Sequence, residues 1–303
     1  MLKNISTNDH LKQALKGFIH LLNQNTADAY ERDITDYLNA VQQPDFELTI
    51  AYFESLAEQG YSKASIGRKK AAVSSFVDFL KDTRQVAANP FTTRTFKMAI
   101  KRIYREADGN SLNHKPPAAH LNWGEVELLI RSCSDTLTGT RDRAIVMLGV
   151  YGGLRRSEMA TLQWRDLRKD LHGHTLILRN AKGGTGEIDV HAMLLTVLGT
   201  LKQLYEKWHV DSAHILISTS NRNFGRPLTS AAVNRIIHRL CQQAGISQIT
   251  AHDLRHTCAV QMLSYGAGVE RVAAHLRHKN IQTTMTYLKT IELHTKSAVR
   301  FLP

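Results

Sequence analysis

Ala107 to His120 reads ADGNSLNHKPPAAH, and this stretch divides the chain. Gly109, Asn110, Ser111 and the Pro116-Pro117 pair favour an extended linker: glycine has too much backbone freedom for a helix, and each proline lacks an N–H. Upstream, residues 1–106 read as helices only. Val73, Phe76, Val77 and Leu80 stand at i, i+3, i+4 and i+7, the spacing of one buried helical face. Downstream, residues 121–303 are mixed. Arg141 to Tyr151 predicts an apolar helix ended by Gly152-Gly153, and Ser157 to Leu162 resumes helical spacing. Thr175 to Leu178 and Glu187 to His191 predict two strands, with Lys182-Gly183-Gly184 near the turn between them. Leu228 to Cys241, His252 to Leu263 and Val269 to Leu276 predict further helices. The expected fold class is therefore mainly α with a small β-hairpin or sheet in the second domain. The expected boundaries are a helical domain at 1–106, a linker at 107–120 and a second domain at 121–303, with a tail from about 288.

The composition excludes several classes. Of 303 residues, 43% are apolar and 22% charged, which suits a folded chain and neither a disordered nor a collagenous one. A membrane span needs about 18 consecutive apolar residues. The best candidate, Ala144 to Leu154, is shorter and is broken by Gly149, Gly152 and Gly153, so no membrane partner is expected. Met1 to His10 is polar and lacks the apolar core of a signal peptide. Cys133, Cys241 and Cys258 are far apart and in no metal-ligand spacing, which implies a reduced, cytoplasmic protein.

The net charge of +12 calls for an anionic partner. Its distribution is uneven. Residues 1–60 are acidic overall, whereas residues 61–105 hold eleven Lys and Arg against Asp78 and Asp82 alone. Arg68, Lys69 and Lys70 open one helix of that segment; Lys97, Lys101, Arg102 and Arg105 follow on a later one. Either cluster alone reads as a solvated face. Two with so few acids between them read as phosphate contacts, and the second domain adds a further excess of basic residues.

Three constellations in the second domain carry chemistry. In Gly152-Gly153-Leu154-Arg155-Arg156-Ser157-Glu158 a glycine turn delivers two arginines to a helix start, where free N–H groups already attract anions. Arginine adds a planar fork for two phosphate oxygens, and Glu158, three residues on, is placed to orient Arg155. The same stretch is equally that of a surface ion pair. In His252-Asp253-Leu254-Arg255-His256, residues 252, 255 and 256 share a helical face, setting acid–base groups beside an anion clamp. That stretch also imitates a His-Glu-x-x-His zinc motif, but Arg255 would repel the ion and Asp253 is one methylene short. A pair of core histidines is the plain alternative. The third is His275-Leu276-Arg277-His278-Lys279, with Tyr287 nine residues after His278. Together these arginines, histidines, Lys182 and Tyr287 are what phosphoryl transfer without a metal or other cofactor requires. Arginines neutralise the non-bridging oxygens, a tyrosine hydroxyl attacks, and a second group protonates the leaving oxygen.

In that order and spacing the residues resemble the tyrosine recombinase (phage integrase) family, particularly its Xer-like and mobile-element members. Arg155 matches the first catalytic arginine, Lys182 the hairpin lysine, His252 and Arg255 the His-x-x-Arg pair, His278 the next position and Tyr287 the nucleophile. Glu158 matches the acidic residue after the first arginine. Asn25 to Leu38, Ser62 to Leu80 and Ala88-Asn89-Pro90 resemble the family's helical, SAM-like core-binding domain, and Leu121 to Ile130 the start of its catalytic domain. With the first helix expected almost at the start of the sequence, no additional arm-binding domain is expected.

The resemblance implies a site-specific recombinase that cleaves and rejoins double-stranded DNA at a specific target through a 3′-phosphotyrosyl link, without metal or ATP. It implies a tetramer on DNA, with the C-terminal tail docking on a neighbouring protomer. Arg68, Lys69, Lys70, Lys97, Lys101, Arg102 and Arg156 are assigned to the DNA backbone. Two departures stand out: Leu276-Arg277-His278 replaces the usual Leu-Gly-His, and His256 adds an imidazole beside the motif. A type IB-like topoisomerase, a DNA-binding regulator without activity and a zinc hydrolase are the alternatives.

Overall fold

A computed structural model describes residues 7–41, 45–110, 120–171, 173–181, 184–278 and 280–288. The chain divides into two units, Met1–Lys115 and Pro116–Pro303.

The described part of the first unit is helical. It runs α1 (Thr7–His20), α2 (Gln24–Ala40), α3 (Phe46–Glu58), α4 (Lys63–Asp82), a single 3₁₀ turn at Pro90–Thr92, and α5 (Arg94–Asn110). The helices start where a short polar side chain takes a free N–H: Asn23 accepts from Thr26, Asp45 from Leu48 and Ser62 from Ser65. Val73, Phe76, Val77 and Leu80 are fully buried, as their spacing predicts. They meet a cluster of rings, of which Phe91 and Phe96 stand 4.7 Å apart, within an apolar core confined to this unit. Asn89 fixes the turn into the 3₁₀ segment by donating to Asp78 and accepting from the Phe91 N–H.

One boundary moves. Residues 107–110 belong to α5 and not to a linker, because Ala107 lies four positions after Ile103 on the buried face. That burial outweighs the poor helix propensity of Gly109 and Asn110. Residues 111–119 fall outside the described residues.

The second unit is mixed. It runs α6 (Trp123–Arg131), α7 (Leu137–Val150), α8 (Arg156–Thr161), β1 (Leu167–Asp170), β2 (Gly173–Ala181), β3 (Gly184–Asp189), α9 (Ala192–Lys207), α10 (Ser230–Ala244), α11 (Ala251–Ser264), α12 (Val269–His275) and α13 (Gln282–Leu288). The strands form an antiparallel sheet in the order β1-β2-β3, with Leu167 opposite Leu176 and Ile177 opposite Glu187. Leu176, Leu178 and Ile188 turn inward from it. Strand β1 escapes sequence reading because Leu-Arg-Lys-Asp is a polar edge whose last three residues are exposed. Helix α7 is buried on nearly every side because α9, α10 and α11 pack around it, and its buried Arg141 and Asp142 pair with each other. It is the central post of the unit, and the residues just after its end begin the site.

Candidate active site

Gly153 has φ +57, and a Cβ there would stand 2.5 Å from Leu276 Cδ2. Only glycine permits both that turn and that approach. The turn delivers Arg155 to the start of α8. There its backbone N–H donates to Glu158 Oε2 (2.8 Å) and its Nη1 to Glu158 Oε1 (2.6 Å). Glu158 is buried. Burial alone would raise its pKa, but Arg277, the Arg155 N–H and the Arg155 guanidinium outweigh that and hold the carboxyl below its ordinary value. Glu158 therefore orients Arg155, as the i, i+3 spacing predicts.

Helix α11 supplies the second arginine. Its start is closed by a capping box: Thr250 Oγ1 accepts from the His252 N–H, and Asp253 accepts from the Thr250 N–H and hydroxyl. Asp253 is thus employed in holding the helix end. Arg255, 2% exposed, donates Nη1 to Gly153 O at 2.5 Å and Nη2 to Leu276 O. Burial first, then repulsion from Arg155 and Arg277, lowers its pKa to about 10, so it remains a cation at neutral pH.

The turn after α12 and helix α13 close the site. His278 Nδ1 lies 2.7 Å from Thr284 Oγ1. When the threonine hydroxyl donates, the imidazole carries its proton on Nε2, the arrangement that gives a directed neutral donor. Burial, then Arg255, Arg155 and Arg277, depresses the His278 pKa to about 4. Tyr287, 5% exposed, packs with Cys258, Val260 and Leu276; its ring centroid is 6.0 Å from His278 and 4.7 Å from His256, edge-on to the latter. Burial raises the Tyr287 pKa, while Arg255 and Arg155 pull it down. The hydroxyl is therefore protonated in the absence of substrate, and attack needs a base. His252, exposed in the first turn of α11, is close enough for its charge to depress both His256 and His278.

Arg155, His252, Arg255, His278 and Tyr287 are thus gathered around one small volume, with Glu158 beneath Arg155. Lys182 lies outside the described residues. Arg156 is exposed at the start of α8. Among the described residues, no three His, Cys, Asp or Glu side chains are placed to hold a metal ion. His256 is buried on Tyr287 and stacks on His120, while Arg255 stands between it and His252 in sequence, which does not suit the zinc motif.

Three further residues contribute; the sequence marked His256 and Arg277 only as departures from the motif, and Thr284 not at all. His256 touches the tyrosine ring, Thr284 holds His278, and Arg277 joins Glu158 (2.9 Å). The signal for Thr284 is its place three residues before Tyr287, on the same face of a helix that Thr283, Thr284 and Thr286 disguise.

One assignment in the first unit changes. Lys69 is 4% exposed, and its ammonium is held by Asp36 (2.7 Å) and Asp33 (3.3 Å). Its charge is neutralised within the domain, and we propose that it braces α4 against α2 instead of contacting phosphate. Arg68 also reaches Asp33 but stays half exposed, and Arg102 pairs with Glu54 and, at 3.7 Å, Glu106. Lys97 and Lys101 are exposed and make no ion pair among the described residues; Lys70 is partly buried.

Residues 119–292 match the phage integrase family, and residues 20–84 match the phage integrase N-terminal SAM-like domain. The chain belongs to the phage integrase family. Within the family it is 27% identical over 309 residues to tyrosine recombinase XerD of Oceanobacillus iheyensis, covering 94% of this chain and 96% of that one. Its fold is similar to XerH site-specific recombinase bound to a palindromic difH substrate in a post-cleavage complex (TM-score 0.67, 18% identity, 89% of this chain and 77% of that one). It is also similar to a lambda integrase tetramer bound to a Holliday junction (TM-score 0.65, 18% identity, 91% and 76%). The mainly helical fold with a three-stranded sheet is thus the family's own. No described helix is long and apolar enough to cross a membrane.

Proposed function

We infer that this integrase-family chain is a site-specific DNA recombinase that cleaves and rejoins strands through a covalent phosphotyrosyl intermediate. The observation that carries the reading is the convergence of two arginines and a neutral histidine on one buried tyrosine. Tyr287 attacks the scissile phosphate and forms a 3′-phosphotyrosyl link, releasing a 5′-hydroxyl. His252 takes the tyrosine proton. Arg155 and Arg255 carry the charge of the non-bridging oxygens in a site whose dipoles are already set, so little reorganisation opposes the reaction. Both guanidiniums are held before DNA arrives, one by Glu158 and one by backbone carbonyls. His278 donates from Nε2. Lys182 protonates the leaving oxygen. The link conserves the bond energy of the phosphodiester, so a second strand can be joined without ATP.

Double-stranded DNA with a specific target is the partner, and exchange takes place in a tetramer on DNA. The tail, predicted to dock on a neighbouring protomer, lies outside the described residues beyond Leu288. Deletion of residues 297–303 is expected to abolish synapsis; intact synapsis would remove the docking role. The buried, unpaired thiols of Cys133, Cys241 and Cys258 suit work in the reducing cytoplasm.

The test is a nicked suicide substrate that traps the covalent adduct. Wild-type protein is expected to form it in excess EDTA, and Tyr287→Phe to form none; an adduct that persists in Tyr287→Phe refutes the reading. Recombinant joints between two labelled sites separate this activity from simple religation by a topoisomerase.

A further inference from the structure

Arg277 stands where a residue with a Cβ is disfavoured. Its φ is +55, the left-handed region that suits glycine, and the family resemblance puts glycine there. What holds it is a set of contacts that a glycine could not make. Nη1 donates to His275 O at 2.7 Å, and Nη2 to Glu158 Oε2 at 2.9 Å and Gly153 O at 3.4 Å. The Glu158 side chain is 1% exposed and is spanned by two guanidiniums, Arg155 on Oε1 and Arg277 on Oε2. The backbone of the same turn accepts from the other site cations: Leu276 O from Arg255, and Arg277 O from Arg155 at 3.4 Å.

The aliphatic stem makes a second, independent contact. A Cβ on Gly186 of β3 would stand 2.7 Å from Arg277 Cδ and 3.3 Å from Cγ. The arginine therefore lies across β3, at a place where the strand is open only because residue 186 has no side chain. One residue thus touches the sheet with its stem, the orienting carboxylate with its head, and both site arginines through its turn.

We propose that Arg277 is a positioning residue, which shares Glu158 with Arg155 and bears on Gly186, so that the β2–β3 hairpin and the phosphate-gripping arginine are held in one register. The assignment rests on the recombinase reading above. The Arg277 side chain is 11% exposed against 26% for Arg155, and both of its Nη groups are committed to His275 O, Gly153 O and Glu158, so Arg277 acts through Arg155 and not on the reacting atoms. Removing it leaves Glu158 with a single guanidinium partner and frees β3 to shift against α8. A small displacement of a phosphate-binding group is enough to cost one to two orders of magnitude in rate.

The experiment measures DNA affinity and single-turnover adduct formation on a suicide substrate for Arg277→Gly, Arg277→Lys, Gly186→Ala and the double variant Gly186→Ala/Arg277→Gly. Arg277→Gly relieves the backbone and is expected to stay folded and to bind DNA like the wild type, while adduct formation falls about 10- to 100-fold. Arg277→Lys keeps the charge and the stem but loses the fork, and is expected to recover part of the rate. Gly186→Ala is expected to slow the wild type, yet to add little in the Arg277→Gly background, where the clashing stem is gone. Equal rates in Arg277→Gly and the wild type overturn the assignment. So does a Gly186→Ala effect that is undiminished in the double variant, or a rate loss matched by an equal loss of DNA affinity. A wild-type protein that forms no adduct overturns the recombinase reading, and this one with it; a reactive wild type with an equally reactive Arg277→Gly overturns this one alone.

Discussion

His256 and His278 both sit at about 4 where a free imidazole sits at 6.5, and burial is the first cause for each. Their other neighbours differ. His256 faces His120 and His252, with Asp253 opposing, whereas His278 faces the three arginines of the site. A depressed folded pKa means that between about 6.5 and about 4 the unfolded chain binds protons the folded chain refuses. Stability must therefore fall as pH falls through that window, and level off above it. Glu158, held below its ordinary value, adds a further loss at still lower pH, as it becomes protonated in the folded state. His256 Nδ1 is buried without a partner among the described residues, so phenylalanine can take its place against Tyr287 at little cost in hydrogen bonds. Urea unfolding of His256→Phe between pH 4 and 8 is expected to show a shallower acid slope than the wild type. Identical slopes would mean that this imidazole is not refused its proton.

At the scale of elements, the site depends on how closely α11 approaches α7. A Cβ on Gly149 would stand 2.6 Å from Leu254 Cβ and 2.9 Å from its Cδ1, next to Arg255 in the chain. Gly149→Ala is expected to destabilise the fold by about 1–3 kcal/mol through overpacking and to slow adduct formation by shifting Arg255 away from Gly153 O. Gly199 in α9 makes the opposite case, because a Cβ there meets nothing within 4 Å. Gly199→Ala is expected to stabilise by about 0.5–1 kcal/mol. Chemical denaturation of the two variants checks both signs, and a stable Gly149→Ala would discard the close-approach argument.

These two glycines also mark how far sequence reading reaches. The residues gathered at the site could be picked out because their order and separations resemble the family's catalytic set, and helical spacing puts Arg255 three residues after His252. Which glycine is pressed by a neighbour was not, since Leu254 is remote from Gly149 along the chain. The ion pairs of Lys69 were not legible for the same reason: Asp33 and Asp36 sit on α2, one helix removed from α4 in sequence, and no local pattern joins them. Helix α10, by contrast, was written in the sequence, with Val233, Ile236, Ile237 and Leu240 at helical spacing and all buried.

For the whole molecule, the charge of +12 separates into parts that do different work. Lys97 and Lys101 on α5 are exposed and make no ion pair among the described residues, and we propose them for general grip on the DNA backbone. Each contact with a phosphate releases counterions, so alanine at either position should reduce the slope of log K against log salt by about 1. Arg155 and Arg255 are instead proposed to converge on one phosphate. Arg155→Ala is expected to change that slope by no more than about 1, while adduct formation falls on the order of 100- to 1,000-fold, as for loss of one transition-state donor. Lys69→Met is a third kind of change. It strips one partner from the buried Asp33, so the first unit should unfold at lower urea while the salt slope of the folded protein stays unchanged. Lys97 and Arg155 belong to separate units with cores of their own and share no partner, so their effects on binding free energy should add in the double variant. Fluorescence-anisotropy titrations at four salt concentrations, alongside the adduct assay, resolve the three behaviours. A Lys69→Met slope that falls with those of Lys97→Ala and Lys101→Ala would return Lys69 to the DNA contacts. A marked departure from additivity would mean that the basic surfaces of the two units do not act on DNA independently.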